Sequence, residues 1–247
     1  MIYSISIQKG GCGKSTTAAA LAQAAAHRGR RALAVDLDPQ GNLSYALAAD
    51  TGKPGSYDLL NGAAAADIAQ PISPGLYAIP ASWNLQTITS GKGSARRLQR
   101  ALEPIKKEFD FIFIDTPATA GELQYNSLQA AEGLIIPVQT DIYNLQSLYQ
   151  TIDTAKQIQE SNPGLKISGF ILTMYDGRST LARQMKEAIT IQATAAGIPY
   201  LGTIRRGVAI QEAAALQQSL FDYAPRSNPA ADYLALFDTL EKLEGRQ

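Results

Sequence analysis

Glycines and lysines that could bind phosphate follow the first apolar run of the chain. Residues 9–16 read K-G-G-C-G-K-S-T and come directly after residues 2–7, a short run typical of a β-strand. Glycine lets backbone N–H groups turn toward phosphate oxygens, and a helix that begins here points its positive end at the same place. Lys14 can reach the β- and γ-phosphates, and the Ser15 hydroxyl can ligate Mg2+. The residues expected to contact a nucleotide are Gly10, Gly11, Cys12, Gly13, Lys14, Ser15 and Thr16.

This loop departs from the ordinary phosphate-loop pattern G-x-x-x-x-G-K-[ST] at its first position. Gln8 stands where that pattern has glycine, and an additional lysine, Lys9, lies five residues before Lys14. Cys12 occupies the variable position between two glycines. A thiol at a helix N-terminus has a lowered pKa, so a redox role is one interpretation of Cys12. The interpretation that we favour is a small residue that fills the loop.

Carboxylates follow two further apolar runs. Asp36 and Asp38 come at the end of residues 32–35, and Asp115 directly follows residues 109–114. An apolar strand that ends in an acid has the form of a Walker B motif, in which the aspartate holds Mg2+ directly or through water. We therefore expect Asp115 to be a magnesium ligand.

Composition excludes several other kinds of site. The 247 residues fit one α/β domain, although length alone permits two small ones. Lys plus Arg and Asp plus Glu both total 22, which excludes a uniformly basic coat but not a local basic patch. One Cys and one His exclude an intramolecular disulfide, a four-cysteine zinc site and a His-rich metal site. With no signal peptide and no apolar stretch near ~20 residues, we expect a soluble cytoplasmic protein with a single domain over residues 1–247.

Strand-like and helix-like segments alternate along the chain. The predicted strands are residues 2–7, 32–35, 76–79, 109–114, 134–138, 167–174 and 200–204. The predicted helices are residues 15–27, 94–108, 145–160, 179–196, 209–217 and 230–243. Residues 51–75 are interpreted as a surface loop with short helices. This alternation predicts a doubly wound α/β fold, a mostly parallel sheet flanked by helices.

Ligands bind such sheets at the carboxyl ends of the strands. The loops of interest are therefore those after Ile7, Val35, Ile114, Val138, Met174 and Ile204.

The phosphate loop resembles the deviant Walker A box, K-G-G-x-G-K-[ST], of the ParA/MinD family of P-loop ATPases. Residues 170–178 (F-I-L-T-M-Y-D-G-R) and 223–227 (Y-A-P-R-S) are similar to segments of ParA proteins. Residues 204–208 match the position at which many of them read I-P-R-N-V, but here Arg205 replaces proline and Gly207 replaces asparagine. The resemblance covers nearly the whole chain and implies a P-loop NTPase.

The resemblance implies roles for individual residues, with ATP and Mg2+ as cofactors. Lys9 would reach across a nucleotide-sandwiched dimer to the phosphates bound by the other subunit. Asp38 would position and polarise the attacking water, with Asp36 as a supporting residue near the magnesium. Met174 and Arg206 would contact the nucleotide, and the loop of residues 204–208 would lie beside the adenine base.

The resemblance also implies binding to DNA without sequence preference, through basic residues that a dimer brings onto one surface. Arg206 and Arg226 are the first candidates by position, and Arg205, Arg178 and Arg183 are the next. A ParB-like partner would stimulate hydrolysis and release the DNA, so we expect nucleoid association in the ATP-bound state. Because the first strand is predicted to start at residue 2, we expect a domain without an N-terminal helix-turn-helix extension. A second basic cluster is interpreted as a solvated face: Lys92, Arg96, Arg97, Arg100, Lys106 and Lys107.

Other functions remain open at this point. A ParA-like ATPase that positions a protein cargo would use the same ATPase site and DNA surface. A MinD-like ATPase would attach to membrane through a basic amphipathic C-terminal helix. Residues 233–244 carry an apolar stripe, but their polar residues are mainly acidic, so we expect this helix to pack on the domain and expect no membrane contact. A small-molecule P-loop ligase would not require Lys9.

Overall fold

The protein is built around one eight-stranded sheet in a computed structural model that describes residues 1–91 and 93–245. The strands are β1 (Ile2–Ile5), β2 (Ala32–Asp36), β3 (Gln70–Ser73), β4 (Leu76–Ile79), β5 (Phe111–Asp115), β6 (Gly133–Gln139), β7 (Lys166–Tyr175) and β8 (Tyr200–Arg205). Their order is β3-β4-β2-β5-β1-β6-β7-β8, and every pair is parallel except β3 with β4. The predicted doubly wound, mostly parallel sheet is therefore confirmed.

Helices cover both faces of the sheet. They are α1 (Lys14–His27), α2 (Asn42–Ala46), α3 (Ser56–Leu60), α4 (Ala65–Ile68), α5 (Arg97–Leu102), α6 (Glu122–Ala130), α7 (Ile142–Gln159), α8 (Thr180–Ala195), α9 (Val208–Ala215), α10 (Leu220–Tyr223) and α11 (Asn228–Leu243). The central strands are buried along their whole length, β1, β2 and β5 without an exposed position, as expected for parallel strands with helices on both sides.

The first helix lies in the centre of the largest core cluster. Its alanines, from Ala18 to Ala25, are buried against aromatic residues of the sheet such as Tyr3 and Phe113. Small side chains allow α1 to approach the sheet closely, which fixes the position of the loop that precedes it. The phosphate loop is thus mounted on two rigid elements, β1 and α1.

The C-terminal helix α11 packs on the domain, as the sequence predicted. Tyr233, Leu236, Phe237 and Leu240 are buried in the same cluster as α1. Its N-terminus is capped by the Ser227 hydroxyl, which accepts a hydrogen bond from the Ala230 N–H. Within the described part of the chain, no helix is both long and apolar enough to cross a membrane.

Residues 94–108, predicted to form one helix, form three short pieces instead. A 3-10 turn at Ser94–Arg96 leads into α5, and a second 3-10 turn follows at Lys106–Glu108. Pro104 lies two residues beyond the last residue of α5, and proline lacks the N–H that a continuing helix needs. Of the basic cluster predicted here, Lys92 lies outside the described residues.

Four elements do not appear in the sequence prediction: the short helices α2 and α10, the strand β3 and the helix α6. The stretch at residues 51–75 contains the short helices α3 and α4, as expected, but also the edge strand β3, whose pairing with β4 includes Pro71. Helix α6 was not predicted because its sequence, E-L-Q-Y-N-S-L-Q-A, is mostly polar. Its buried face includes Gln124, Asn126 and Ser127, which bond to other buried polar groups rather than forming an apolar stripe.

Candidate nucleotide-binding site

The phosphate loop connects β1 to α1 at the carboxyl edge of the sheet. Gly11 and Gly13 have positive φ angles of 74° and 83°, a left-handed conformation that strains any residue with a Cβ. Gly13 is the residue directly before α1. The backbone therefore turns directly into the helix, and the first N–H groups of a helix, which have no partner within it, form the anion site that a phosphate loop uses.

Lys14 is the first residue of α1 and only 6% exposed. Its Nζ donates a hydrogen bond to the Lys9 carbonyl oxygen at 2.9 Å. Burial lowers the pKa of the Lys14 ammonium, an effect that the nearby Asp115 carboxylate opposes. A largely buried cation inside a glycine loop fits the binding of phosphate charge.

Asp115 ends β5 and is completely buried. Its Oδ1 accepts a hydrogen bond from the Thr116 N–H at 3.0 Å, while its Oδ2 has no hydrogen-bond partner among the described residues. Burial raises the pKa of Asp115 well above its usual range and the Asp36 carboxylate adds to this, whereas the Ser15 hydroxyl and Lys14 act in the opposite direction. An orphaned carboxylate oxygen beside a hydroxyl suits a hard divalent cation that prefers oxygen ligands. Asp115 and Ser15 therefore fit the Mg2+ site that the sequence predicted.

Asp36 has a different role from Asp115, because both of its oxygens accept hydrogen bonds. Oδ1 accepts from the Asp38 N–H at 3.0 Å, and Oδ2 accepts from the Ser44 N–H and hydroxyl at 2.8 and 2.6 Å. The Ser44 hydroxyl in turn accepts from the Ala81 N–H. Burial raises the pKa of Asp36 to about 6, against the opposing effect of these hydrogen bonds. Asp36 thus fixes the loop that carries Asp38, while Asp38 itself is partly exposed and lines the cavity beside the phosphate loop.

Two adjoining cavities open at this edge of the sheet. One of about 520 Å3 includes Lys14, Ser15 and Asp38, and the other, of about 450 Å3, includes Arg206 and Val208. The two share four lining residues: Gly13, Thr16, Met174 and Ile210. Together they have the size of a small-molecule site.

Met174 lies between the two cavities. Its φ angle is 52°, and its side chain is 48% exposed. Non-glycine residues in this region are uncommon and cluster at functional sites. The Met174 sulfur accepts a hydrogen bond from Gln139 Nε2, which also bonds to the Gly11 carbonyl.

The comparisons with known proteins identify the family to which this site belongs. A family model described as an AAA domain matches residues 1–167, more than half of the chain. The sporulation initiation inhibitor protein Soj of Bacillus subtilis is 36% identical over 244 residues, covering 95% of this chain and 96% of Soj. The chromosome partitioning protein ParA of Myxococcus xanthus is 35% identical over 252 residues, covering 98% of this chain and 88% of that protein. The chain belongs to the ParA family of P-loop ATPases.

A solved structure extends the likeness to three dimensions. The septum site-determining protein MinD of Pyrococcus horikoshii, complexed with Mg-ADP, superposes with a TM-score of 0.81 at 28% identity, covering 99% of this chain and 97% of MinD. The fold class, the ATPase class and the ParA-type resemblance predicted from the sequence are thereby confirmed.

The characteristic lysine of this ParA-family site, Lys9, is held by its own chain. Its Nζ lies 2.9 and 3.0 Å from the two carboxylate oxygens of Asp141. Cys12 is buried, and its thiol donates to the Asn144 side-chain oxygen. Burial raises the pKa of the Cys12 thiol, which disfavours the thiolate that redox chemistry needs and favours the filler interpretation.

Three of the five arginines proposed for DNA have partners within this ParA-family chain. Arg178 pairs with Asp176 at 3.0 Å, and Arg205 pairs with Asp232 at 2.7 Å. Arg183 donates to the Gly177 carbonyl at 2.8 Å, among other hydrogen bonds. The charges of Arg178 and Arg205 are therefore partly neutralised, and the Arg183 guanidinium is already hydrogen-bonded to the backbone.

Arg206 and Arg226 differ from these three arginines. Both are exposed, and neither side chain has a hydrogen bond or an ion pair within 4.0 Å in the part of the chain that the structure describes. Arg206 acts on Asp176 only from a distance, helping Arg178 to lower the pKa of that carboxyl. These two guanidinium groups remain available for an external anion.

Sequence reasoning missed several residues that shape the loop. The Thr173 hydroxyl donates to the Cys12 carbonyl at 2.9 Å, and Gln139 donates to the Gly11 carbonyl at 2.6 Å. Asp141, the partner of Lys9, lies two residues beyond Gln139. All three occur at the carboxyl ends of β6 and β7, where the fold predicted functional loops without indicating which residue would act.

Proposed function

We propose that this ParA-family ATPase is a partition ATPase for a plasmid or chromosome. ATP with Mg2+ promotes a sandwich dimer, and the dimer binds DNA without sequence preference. Hydrolysis, weak in the isolated protein and stimulated by a ParB-like partner, releases the DNA. The protein would then be cytoplasmic and nucleoid-associated in its ATP-bound state. The names of the relatives support this proposal, because the chain matches the chromosome partitioning protein ParA of Myxococcus xanthus over nearly its whole length.

The residues of the site divide the chemistry among them. The loop amides of residues 10–16 and the Lys14 ammonium bind the β- and γ-phosphates and neutralise their charge. Ser15 and Asp115 hold the Mg2+, which supplies further charge neutralisation at the phosphates. Asp38 orients the attacking water, and Asp36 keeps the Asp38 loop in place through the hydrogen bonds described above.

Lys9 supplies the link between nucleotide and dimer. On this proposal it leaves Asp141 and contacts the phosphates bound by the second subunit. Phosphate charge then attracts an ammonium from each chain across the interface, so that ATP binding favours dimerisation.

The observation that carries DNA binding is the pair of unpartnered arginines, Arg206 and Arg226. Unpaired, exposed guanidinium groups bind phosphate oxygens without reading the bases. A chain with no net charge binds DNA weakly as a monomer, whereas a dimer doubles the basic patch and strengthens the electrostatic attraction.

The experiment that tests the proposal is DNA retention at low salt on an unrelated duplex, with ATP, with ADP and without nucleotide. We expect the wild-type protein to be retained on DNA only with ATP, and we expect Lys9→Ala to lose this retention. Equal retention in all three conditions by a protein that still binds nucleotide contradicts the proposed dimer switch.

A protein cargo is the main alternative to a DNA cargo. The ATPase site and the DNA surface would be the same, and only the partner would differ. The two kinds of cargo can be distinguished by purifying the ATP-bound Asp38→Ala variant from its native cells and identifying the protein bound to it. A bound protein that recognises a specific DNA site supports partition. For the MinD-like alternative, the packing of α11 against α1 offers no supporting feature.

A further inference from the structure

Gln8 forms the centre of a tight turn at the start of the phosphate loop. The Lys9 N–H donates to the Ile7 carbonyl at 2.8 Å, so the chain reverses direction over three residues. The direction in which the Lys9 side chain leaves the backbone therefore depends on how firmly Gln8 is held.

Three hydrogen bonds hold Gln8 from two helices. Its backbone N–H donates to the Thr151 hydroxyl at 3.2 Å, and its Nε2 donates to the Thr154 hydroxyl at 2.8 Å and to Gln124 Oε1 at 3.3 Å. Gln124, on α6, is itself fixed by a bond to the buried Ser6 hydroxyl. A glycine at position 8 could make only the backbone bond. These contacts give a physical reason for the departure from the ordinary phosphate-loop pattern.

Helix α7 contacts both the turn and the lysine that the turn directs. Thr151 and Thr154 lie in its middle and bond to Gln8, while Asp141, directly before its first residue, bonds to Lys9. Gln8 and Lys9 are therefore fixed relative to the same rigid element. Loss of the contact at Thr154 leaves the phosphate loop in place, because Gly11 and Cys12 are held separately by Gln139 and Thr173.

We infer that Gln8 is a positioning residue for Lys9, held for that task by Thr154. It acts on the lysine's direction, and hence on dimerisation with ATP, rather than on the affinity of the monomer for nucleotide. This inference rests on the proposed role of Lys9 in the dimer.

Thr154→Val tests the inference without altering any residue of the nucleotide site. Valine keeps the shape of threonine but loses the hydroxyl that accepts from Gln8. With Mg2+ and a non-hydrolysable ATP analogue, we expect the dimer dissociation constant, measured by analytical ultracentrifugation, to rise about three- to tenfold. Mg-ADP affinity should stay within about twofold of wild type, and Thr154→Ser should restore dimerisation.

A matched control comes from α11. The Thr239 hydroxyl, like that of Thr154, bonds to the carbonyl four residues earlier in its helix, but it is not bonded to Gln8. Thr239→Val should leave both constants unchanged.

Three results would overturn the inference: unchanged dimerisation in Thr154→Val, a loss of Mg-ADP affinity as large as the loss of dimerisation, or failure of Thr154→Ser to rescue. Measuring Lys9→Ala in parallel distinguishes a failure of the inference about Gln8 from a failure of the proposed function. If Lys9→Ala dimerises as well as wild type, the proposed role of Lys9 fails and the inference fails with it.

Discussion

The Lys9 ammonium lies 2.9 and 3.0 Å from the two oxygens of Asp141, so the lysine proposed to act on a second subunit is bound within its own chain. The two side chains are 25% and 40% exposed. Partly exposed ion pairs of this kind contribute about 0 to 1 kcal/mol. Phosphate groups of a nucleotide can therefore compete for Lys9, and Asp141 opposes the dimer only weakly.

The first prediction concerns this competition. Asp141→Asn removes the charge that holds Lys9 and should lower the ATP concentration needed for half-maximal dimer formation by up to about fivefold. Asparagine can still accept the hydrogen bond from the Asn144 N–H that Asp141 accepts at the start of α7. The measurement is light scattering or ultracentrifugation over a titration of ATP. An unchanged or weakened dimer would show that Asp141 does not restrain Lys9.

The second prediction concerns Lys14. Lys14→Ala should reduce ATP turnover to background, because it removes the nearly buried ammonium that neutralises the phosphates in the glycine loop. Lys14→Met keeps most of the volume of this nearly buried side chain and serves as the control for packing. Both variants should bind ATP much more weakly than wild type by isothermal titration calorimetry. Normal turnover in either would refute the assignment of the site.

The third prediction separates hydrolysis from binding. Asp38→Ala should bind ATP and stay as a dimer on DNA, since the group that orients water is lost while the phosphate contacts remain. Asp38→Asn retains an oxygen that can accept from the Gln40 N–H, as Asp38 Oδ1 does, and should also hydrolyse slowly if the charge matters. A normal rate of phosphate release from Asp38→Ala would exclude Asp38 from positioning the water.

The fourth prediction concerns the DNA surface. Arg206→Glu and Arg226→Glu should each lose most DNA binding, and Arg226→Glu, which is not part of the lining of either cavity, should keep ATP-dependent dimerisation. The slope of log affinity against log salt should fall by roughly 0.9 for each phosphate contact removed. Arg178→Ala is the control, because Arg178 is already paired with Asp176, and it should change the slope less. Wild-type DNA retention in both Glu variants would remove these arginines from the surface.

The fifth prediction follows from the buried carboxyl of Asp36. Its pKa is raised from 3.8 to about 6 in the folded protein, so folding favours its protonated form. The stabilisation is fully present below pH 3.8 and is lost as the pH rises through about 6, an effect of about 3 kcal/mol.

Urea unfolding of the nucleotide-free protein between pH 4 and 7 measures this effect. Asp36→Asn should be less stable at every pH, because its amide cannot accept all three hydrogen bonds, but the fall in unfolding free energy with pH should be smaller. Asp115, whose pKa is also raised, contributes to the slope that remains. Parallel profiles for the two proteins would contradict the raised pKa of Asp36.

The sequence by itself determined the chemistry of the phosphate loop and the class of the fold. Glycines, Lys14 and Ser15 are contiguous, so their spacing alone places them on one turn between a strand and a helix. Asp115 was predictable for a related reason: parallel strands end at one edge of the sheet, and β5 pairs with β1 so that Asp115 lies opposite Ile5. Local patterning and parallel topology suffice for such residues.

Only the tertiary structure decided which side chains hold that loop and which charges remain free. Lys9 and Asp141 are 132 positions apart, and Gln8 and Thr154 are 146 apart. Each pair depends on the angle at which α7 packs, and no periodicity in the sequence encodes that angle. The same reason separates the arginines: Arg205 and Arg206 are neighbours in sequence, but the position of α11 brings Asp232 to Arg205 and leaves Arg206 exposed.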